Sequence, residues 1–424
     1  MSRTPAIRFK GFTDPWEQRK LGDIAASFEY GLNAAACEYD GENKYLRITD
    51  IDDNTREFRV EDLTSPQADL AASAGYLLSE GDLLFARTGA SVGKTYLYRP
   101  FDGKVFFAGF LIRAKIGDNA DPEFVFQSTL TDRYRKYVSI TSQRSGQPGV
   151  NAQEYSDFEL PLPSQSEQKQ IGSLLHGLDN LITLHQRKFD QLAVLKKALL
   201  DKMFPRDGSA VPEVRFAGFT DPWEQRKLGE LSEIVGGGTP DTNNPDYWDG
   251  DIDWYSPAEL GEQVYADTSQ RRITREGYEN SSAKMLPAGR TILFTSRAGI
   301  GTTAILRRSA CTNQGFQSLV LRDEVNIYFV YSMSARIKAY AESKASGSTF
   351  LEISGKQLAE MELMLPNRAE QDAIGDFFTS LDNLITLHQR KRTKRRYCGS
   401  LLGNSVSWVS WPNSLKVKDT QRRI

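Results

Sequence analysis

The segment Gly89–Thr95 contains residue types that could hold a nucleotide phosphate, because a Gly-Lys-Thr run follows a predicted strand at Asp82–Ala86. A phosphate-binding loop of this class needs a glycine five residues before the Gly-Lys glycine, and Thr88 stands there instead. No apolar strand that ends in a metal-binding Asp completes the motif. The sequence therefore disfavours ATP binding, and nucleotide binding by the isolated chain is the measurement that would support an enzyme.

A second catalytic pattern is also incomplete. Asn244–Tyr247 is similar to the Asn-Pro-Pro-Tyr motif of adenine methyltransferases, but Asp246 replaces the second proline. The three histidines, His176, His185 and His388, all lie in predicted helices, where a histidine-based catalytic site is hard to assemble. We therefore predict no catalytic residue and no metal site.

Polar segments that follow the predicted strands suit a different chemistry. Arg can bind guanine through two hydrogen bonds, Asn and Gln can bind adenine in the same way, and hydroxyl groups can serve either base. Such segments also form ordinary turns, in which the side chains of Asn and Ser make hydrogen bonds to the nearby backbone. Arg87, Lys94 and Arg297 equally suit surface ion pairs, so the residues alone leave both interpretations open.

These segments need a scaffold, and the sequence predicts a mixed α/β fold for it. The predicted strands include Tyr45–Ile51 and Asp82–Ala86 in the first half of the chain, and Asp251–Ser256 and Ile292–Arg297 in the second. Each half then reaches a polar segment, at 142–151 and at 346–351.

An internal repeat frames the two halves. Residues 8–22 and 215–229 agree at fourteen of fifteen positions, and LDNLITLHQRK occurs at both 178–188 and 381–391. The residues between these copies share only faint similarity. We call the residues between the copies the inserts. Drift after gene duplication would change the repeated frame as much as the inserts, so we infer one partner surface that is used twice and two different targets.

A long helix is predicted at the end of each half. Apolar residues recur in the alternating four-three spacing of a coiled-coil seam, and we expect the two helices to pack antiparallel. His185 and His388 occupy matching seam positions and are interpreted as polar register markers rather than metal ligands. The coiled-coil residues that set the spacing are Ile171, Leu175, Leu178, Ile182, His185, Phe189, Leu192 and Leu199 in the first helix, and Ile374, Phe378, Leu381, Ile385 and His388 in the second.

The second helix loses its seam near residue 391. Arg392 and Arg395 stand where the first helix has Phe189 and Leu192, and residues 392–424 are strongly basic in a chain whose net charge is −2. We hypothesise that these residues replace a lost helix end, as a frameshift or a recombination junction would produce. Resequencing the gene across the junction tests this hypothesis.

Composition narrows the class of protein. The 424 residues suffice for two or three domains, and no apolar run approaches the roughly 18 residues of a membrane span. The N-terminus lacks an apolar signal region. Cys37, Cys311 and Cys398 are widely separated and have no metal-ligand spacing, which favours a reduced, cytoplasmic setting. The acidic body argues against diffuse binding to DNA phosphates alone.

From residue 7 to about residue 391, the chain resembles the specificity subunits of Type I restriction–modification systems. The resemblance is carried by Gly11–Gly22 and its copy at 218–229, the helix starts Gln168–Ile171 and Gln371–Ile374, and the segments Gly146–Asn151 and Ser348–Gly355. It implies two α/β target-recognition domains, separated by long antiparallel coiled-coil helices in a pseudo-two-fold repeat. Each domain would read one half of a split site in double-stranded DNA.

The resemblance also gives expected domain boundaries and contact residues. The expected parts are a first target-recognition domain at 1–163, a first helix and linker at 164–208, a second target-recognition domain at 209–366, a truncated second helix at 367–391, and an atypical basic tail at 392–424. The expected DNA-contacting residues are Arg87, Ser91, Lys94, Gln143, Arg144 and Gln147 in the first domain, and Tyr255, Ser296, Arg297, Gln314, Ser348 and Thr349 in the second.

The family implies a non-catalytic recognition subunit that binds no cofactor itself and has no membrane partner. Two methyltransferase subunits would bring S-adenosylmethionine, and motor–nuclease subunits would bring ATP and Mg²⁺ chemistry. The alternative is an inactive or decoy specificity subunit that acts only as an interaction protein. The altered second helix favours that alternative.

Overall fold

A computed structural model describes residues 5, 7–143, 146–206, 208–261, 263–297, 299–346 and 351–403, with side chains described as far as residue 390. The chain divides into two units. The first comprises Met1–Gln186 and Arg390–Ile424, and the second comprises Arg187–Gln389. In the described residues, no helix has the length and apolar character needed to cross a membrane.

The first unit is built on a four-stranded antiparallel sheet in the order β2-β9-β6-β7. Smaller two-stranded sheets, β3-β5 and the parallel pair β4-β8, accompany it. The elements are β1 (Glu17–Lys20), β2 (Ala25–Tyr30), β3 (Ala35–Glu38), β4 (Lys44–Leu46), β5 (Thr64–Gln67), β6 (Asp82–Ala86), β7 (Thr95–Leu97), β8 (Val105–Phe107), β9 (Leu111–Ile116), α1 (Pro122–Ser128), α2 (Asp132–Thr141), α3 (Ala152–Ser156), β10 (Glu159–Leu162) and α4 (Gln165–Lys202).

The second unit repeats this plan with a five-stranded sheet in the order β12-β19-β16-β17-β14 and a three-stranded sheet, β15-β13-β18. The elements are β11 (Glu224–Lys227), α5 (Leu228–Leu231), β12 (Ser232–Gly236), β13 (Trp248–Tyr255), β14 (Tyr265–Ala266), β15 (Arg271–Ile273), α6 (Arg275–Glu279), β16 (Thr291–Phe294), β17 (Thr303–Leu306), β18 (Ala310–Thr312), β19 (Gln317–Leu321), α7 (Ile327–Ser332), α8 (Ser334–Lys344), α9 (Gly355–Ala359), β20 (Glu362–Leu365) and α10 (Arg368–Gly403).

The two inserts share one architecture although their sequences differ. The order β2-β9-β6-β7 corresponds to β12-β19-β16-β17, and each of these four-strand sets is antiparallel throughout. The central strands β6 and β16 alternate between two cores. Leu83 and Phe85 face one core while Leu84 faces the other, as the period of two along a strand requires. Because both faces of these strands are buried, each strand is apolar after its first residue, Asp82 or Thr291, and such an apolar run is recognisable in the sequence.

The repeated frame joins each sheet to a long helix. β1 pairs antiparallel with β10, and β11 pairs with β20 in the same register, so that Glu17 lies opposite Leu162 and Glu224 opposite Leu365. The repeated frame therefore contributes one strand in each half of the chain. That strand pairs with the strand that leads into the long helix. This structural role accounts for part of the repetition from which we inferred a partner surface.

Matched buried ion pairs fix the frame to the helix starts. Arg8 donates two hydrogen bonds to Glu167, at 2.6 and 2.8 Å, and Arg215 donates two to Glu370, at 2.7 and 2.8 Å. Both glutamates are fully buried. A buried carboxylate is stable only when its oxygens are paired in this way, which explains the strict repetition of these residues.

A helix glycine brings α4 close to α1. A Cβ on Gly172 would lie 2.7 Å from Asp121 Oδ1, and one on Gly375 would lie 2.5 Å from Asn326 Oδ1. Asp121 and Asn326 cap α1 and α7. Both long helices therefore need a glycine where they cross the start of a short helix.

The seam predicted for the first helix stays a prediction, and the burial of its positions agrees with it. None of its positions, from Ile171 to Met203, is exposed. In the second helix Ile374, Phe378 and Leu381 are buried, whereas the seam positions Ile385 and His388 are half-buried. The expected boundary at 391 is not a helix end, because α10 continues to Gly403. Lys and Arg are good helix formers, so the helix continues beyond the residue at which its apolar seam ends.

The antiparallel packing of the two helices is visible within the second unit. Lys196 donates hydrogen bonds of 2.6 and 2.8 Å to the carboxylate of Asp382. Phe204, just after α4, stacks on Phe378 with ring centroids 6.3 Å apart. From Lys196 to Phe204 the residue number rises, whereas the residue number of the partner falls from Asp382 to Phe378. These two segments therefore run in opposite directions.

Two strand predictions were too long. The predicted strand Tyr45–Ile51 ends at Leu46, because the Asp50 carboxylate accepts hydrogen bonds from the backbone and guanidinium of Arg47 and closes a turn. The strand predicted at Ile292–Arg297 ends at Phe294. The strand Asp82–Ala86 is confirmed at both ends.

Candidate nucleic-acid interface

In the first unit, the loop after β6 meets the polar segment that precedes α3. Val150 N–H donates to the Arg87 carbonyl at 2.9 Å, and Gly89 N–H donates to the Pro148 carbonyl at 3.0 Å. The Gln147 amide nitrogen lies 3.0 Å from the position of a Cβ on Gly89. Gly89 has a φ of +70°, a conformation that glycine adopts readily. The structure thus brings Gln147 to the loop that contains Ser91 and follows Arg87, although Gln147 lies sixty residues after Arg87 in the sequence.

Tyr30 orients the Arg87 guanidinium. The guanidinium carbon lies 5.1 Å from the centroid of the Tyr30 ring, and Arg87 Nε is buried without a hydrogen-bond partner. Arg87 is half-buried, and Tyr30 is 44% exposed at the surface beside it. Sequence reasoning missed Tyr30 because β2 lies next to β6 only through β9.

Lys94 lies at the other end of the same loop. Its ammonium contacts the Asp53 carboxylate at 2.5 Å, and this hydrogen bond lowers the pKa of Asp53. The next residue, Thr95, begins β7, and its hydroxyl lies 2.7 Å from that of Thr129 in the core. In a phosphate-binding loop the Lys-Thr pair opens a helix whose N-terminus faces the phosphate. Here it opens a strand, so the fold lacks the context that this motif requires.

In the second unit, Ser296 takes the place of Arg87. Its carbonyl accepts a hydrogen bond from Ile353 N–H at 3.2 Å, and its own N–H donates to Gly315 at 2.8 Å. Gln314, an exposed neighbour of Gly315, accepts a 2.5 Å hydrogen bond from the Thr239 hydroxyl. Arg297 is half-buried beside this group. The loops after β16 and before β19 therefore meet at one surface.

Two of the expected contact residues are buried. Tyr255 is 3% exposed within an apolar cluster, and burial raises the pKa of its phenol well above the ordinary value. Ser296 is fully buried, and its hydroxyl has no hydrogen-bond partner. Contact between DNA and either side chain stays a prediction, and it would require these side chains to leave the core.

The remaining expected residues differ in position. Gln143 is exposed at the end of α2, where the Ser142 carbonyl accepts from Gly149 N–H at 3.2 Å. Arg144, Ser348 and Thr349 lie outside the described residues.

Among the residues that the structure describes, no group of three His, Cys, Asp or Glu side chains could hold a metal ion.

Comparison with known proteins agrees with this doubled architecture. The family described as Type I restriction modification DNA specificity domain matches residues 13–193 and again residues 220–394. The chain belongs to this family. As a member of it, the chain is a recognition subunit and not an enzyme.

Proteins similar to this chain are named specificity subunits of Type I restriction enzymes. The Type I restriction enzyme MjaIX specificity subunit of Methanocaldococcus jannaschii is 36% identical over 167 residues, which are 38% of each chain. The putative MjaX specificity subunit of the same organism is 25% identical over 397 residues, 89% of each chain. The EcoR124I/EcoR124II specificity subunit of Escherichia coli is 31% identical over 173 residues, 38% of this chain and 42% of that one.

A solved structure supports the fold over most of the chain. The Type I restriction–modification S subunit from M. genitalium aligns with a TM-score of 0.64 and 14% sequence identity, covering 95% of this chain and 98% of that one. At so low an identity, the likeness concerns the fold alone.

Proposed function

We propose that the chain recognises a bipartite DNA sequence and directs adenine methylation and cleavage by partner subunits. The observation that carries the proposal is the pair of equivalent loop surfaces, one at the end of β6 and one at the end of β16, which present different side chains from the same strand order. Two recognition domains that share a fold but differ in their contact residues suit a DNA site whose two halves differ in sequence. Arg, Gln and hydroxyl groups at these loops suit base edges in the major groove.

Surface residues that are repeated in both halves favour two copies of one partner. The four residues of β1, Glu17–Lys20, and the identical residues of β11, Glu224–Lys227, are all exposed. Leu181 and Leu184 are 39% and 50% exposed, and the matching Leu384 and Leu387 are 47% and 44% exposed. The two leucines of each pair lie three residues apart and share one face of their helix, and an exposed apolar face that occurs in both helices suits a contact surface. We propose that each copy binds one methyltransferase subunit.

The partners would supply the chemistry. In this proposal the methyltransferase subunits bind S-adenosylmethionine, the motor–nuclease subunits use ATP and Mg²⁺, and this chain supplies sequence recognition. The long helices would set the number of unspecified base pairs between the half-sites. Affinity for DNA would come mainly from phosphate contacts and would fall with salt.

Genome-wide adenine methylation, measured in the source strain with and without this gene, tests the proposal. We expect one bipartite motif with a fixed spacer to lose its methylation on deletion, and the motif then gives the recognition sequence directly. If every methylated motif survives deletion, the chain does not direct methylation in that strain.

A decoy subunit is the second candidate, and one observation favours it. The sequence of α10 departs from that of α4 from residue 392 onward, although the helix continues to Gly403. A decoy would bind methyltransferase subunits but would leave methylation unchanged on deletion. Copurification of the methyltransferase with the chain, combined with an unchanged set of methylated motifs, would identify it.

A further inference from the structure

A cavity in the first unit lies directly beside the loop that follows β6. It has a volume of about 590 Å³ and lies between the turn at residues 52–56, the loop Gly89–Lys94 and helix α2. Its charged wall residues are Arg56, Lys94, Arg135 and Asp53, so three cations face one carboxylate. The cavity therefore has a net positive lining although the whole chain is slightly acidic.

Arg56 is the distinctive residue of this cavity. Its Nη1 is buried without a hydrogen-bond partner, and none of the described carboxylates forms an ion pair with its guanidinium. A buried guanidinium donor without an acceptor costs free energy. Burial accordingly lowers the pKa of Arg56, since the nearby carboxylates of Asp53 and Asp52 offset only part of that effect. An anion in the cavity would supply the missing acceptor.

The backbone holds Arg56 in place before any ligand arrives. Arg56 has a φ of +60°, which a residue with a Cβ rarely adopts. The Asp52 carboxylate fixes the turn by accepting hydrogen bonds from the N–H groups of Asn54 and Thr55, at 2.8 and 2.9 Å, and the Asp52 carbonyl accepts from Arg56 N–H at 3.2 Å. Preorganised donors bind an anion at a lower entropic cost.

The other two cations can reach the same ligand. The partner of Lys94 is Asp53; the Lys94 side chain is 15% exposed, whereas that of Asp53 is 62% exposed, so water reaches the carboxylate of this pair and weakens it. Arg135 forms an ion pair with Asp132 on the exposed face of α2. Either cation can exchange its carboxylate for a phosphate without unfolding any element.

We propose that this cavity binds a phosphate group, and that the phosphate belongs to the DNA backbone next to the bases contacted from Gly89–Lys94. The inference rests on the proposed function, because it assigns the phosphate to DNA. It identifies Arg56, Lys94 and Arg135 as the cationic wall. Arg56 lies outside the recognition residues expected from the sequence, and its contact would position the first unit without reading a base.

The test is the salt dependence of binding to a mixed-sequence 30-base-pair duplex, measured with the full-length chain. Loss of one phosphate contact lowers the exponent that relates the binding constant to salt by about 0.9. We expect Arg56→Gln to lower the exponent by that amount and to weaken binding equally on all sequences. Ser139→Glu adds a carboxylate at the exposed rim of the cavity and removes no buried group, so it should weaken binding even if Arg56→Gln folds poorly.

Two further variants give opposite controls. Arg59 is exposed, pairs with Asp52 and is not part of the cavity wall, so Arg59→Gln should leave the exponent unchanged. Asp53→Asn removes the competing carboxylate and should strengthen binding. Melting temperatures of all four variants report whether each one folds.

The outcomes separate this proposal from the proposed function. Wild-type exponents for Arg56→Gln and Ser139→Glu, in proteins that still bind the duplex, would overturn the cavity assignment and leave sequence recognition intact. Competition of ATP with the duplex, abolished by Arg56→Gln, would reassign the phosphate to a free nucleotide. No binding of the wild-type chain to any duplex would count against the proposed function itself.

Discussion

Arg87 and Ser296 occupy the same place in two sheets of different sequence. The carbonyl of each accepts a backbone hydrogen bond from the polar segment of its own unit, from Val150 and from Ile353. The backbone therefore makes the same kind of hydrogen bond at this point in both units, and the side chains around it differ. A substitution among these side chains should change what one unit reads and leave the sheet intact.

Arg297→Ala should weaken discrimination at one half-site only. Loss of a side chain that makes two hydrogen bonds to a base costs about 1–3 kcal/mol of discrimination at that position. Binding to duplexes with single mismatches in each half-site measures the effect, once methylation data have given the motif. Arg275→Ala is the matched control, because Arg275 is exposed in the same unit and pairs with Glu279. An equal loss on all sequences would instead indicate that Arg297 contacts a phosphate.

Glu29 should give the first unit a pH-dependent stability. Burial raises the pKa of Glu29, but hydrogen bonds from Arg113 and Ser27, with the charges of Arg113 and Lys115, outweigh burial and lower the pKa from 4.5 to about 2. A carboxyl group with a lowered pKa stabilises the fold above its unfolded pKa and loses that contribution as pH falls through the folded value.

The expected result is a loss of unfolding free energy between pH 4.5 and about pH 2 that Glu29→Gln reduces. Denaturant unfolding at a series of pH values measures it. The exposed Glu61 provides the control, since Glu61→Gln should keep the wild-type profile. Identical profiles for wild type and Glu29→Gln would show that this carboxyl does not stabilise the folded state.

At the scale of elements, the apolar seam of the long helices also contains an ion pair. Lys196 interrupts the seam of α4, and its partner Asp382 is 9% exposed on α10. The Tyr328 hydroxyl donates a 2.6 Å hydrogen bond to the same carboxylate. A polar residue in an apolar seam favours the alignment in which it meets its partner, so we expect Lys196 to set helix register at the cost of apolar contact.

Lys196→Met should destabilise the second unit by about 3 kcal/mol, because it leaves the buried Asp382 carboxylate without its cation and with the Tyr328 hydroxyl as its remaining described donor. The double variant Lys196→Met with Asp382→Leu should recover much of that loss. Chemical denaturation measures both variants, and Lys197→Met at the exposed neighbouring position is the control. A single variant that is as stable as wild type would mean that solvent reaches Asp382.

The strand β18 contains a thiol that should report unfolding of the second unit. Cys311 is fully buried, and burial raises the pKa of its thiol to about 12. In a Cys398→Ser background, Cys37 is exposed and should react with a thiol reagent at once, whereas Cys311 should react only as the second unit unfolds. Rapid labelling of both thiols in the absence of denaturant would contradict the burial of β18.

At the scale of the whole molecule, the chain is a duplication whose second copy ends differently. The α4 sequence continues its seam through Leu199, whereas the α10 sequence has Arg392 and Arg395 at the matching positions. An arginine at a seam position removes apolar contact and adds a charge that must remain in water. The two ends of the helix pair should therefore differ in stability.

Repair of the second helix should strengthen the assembly. A variant in which residues 189–203 replace residues 392–406, and in which the chain then stops, restores the seam. We expect a higher melting temperature and tighter copurification of the methyltransferase subunit. A graft of the same length with Arg at the two seam positions is the control. If both grafts behave alike, the altered tail does not limit assembly.

The sequence alone determined the features that depend on local pattern. The frame copies, the helix starts and the strand at Asp82–Ala86 were recognisable because capping residues, a seam spacing and an apolar run lie within a few residues of one another. The resemblance to specificity subunits rested on the same segments and was confirmed by the family match in both halves.

Only the tertiary structure decided which residues meet. The common strand order of the two inserts depends on pairings such as β6 with β9, which join residues far apart in the chain and leave no local signature. The same nonlocal pairing buries Tyr255, sets Tyr30 against Arg87 and brings Arg56 to the wall beside Lys94. Side-chain burial and convergence are properties of packing, and packing is complete only when every strand has found its neighbour.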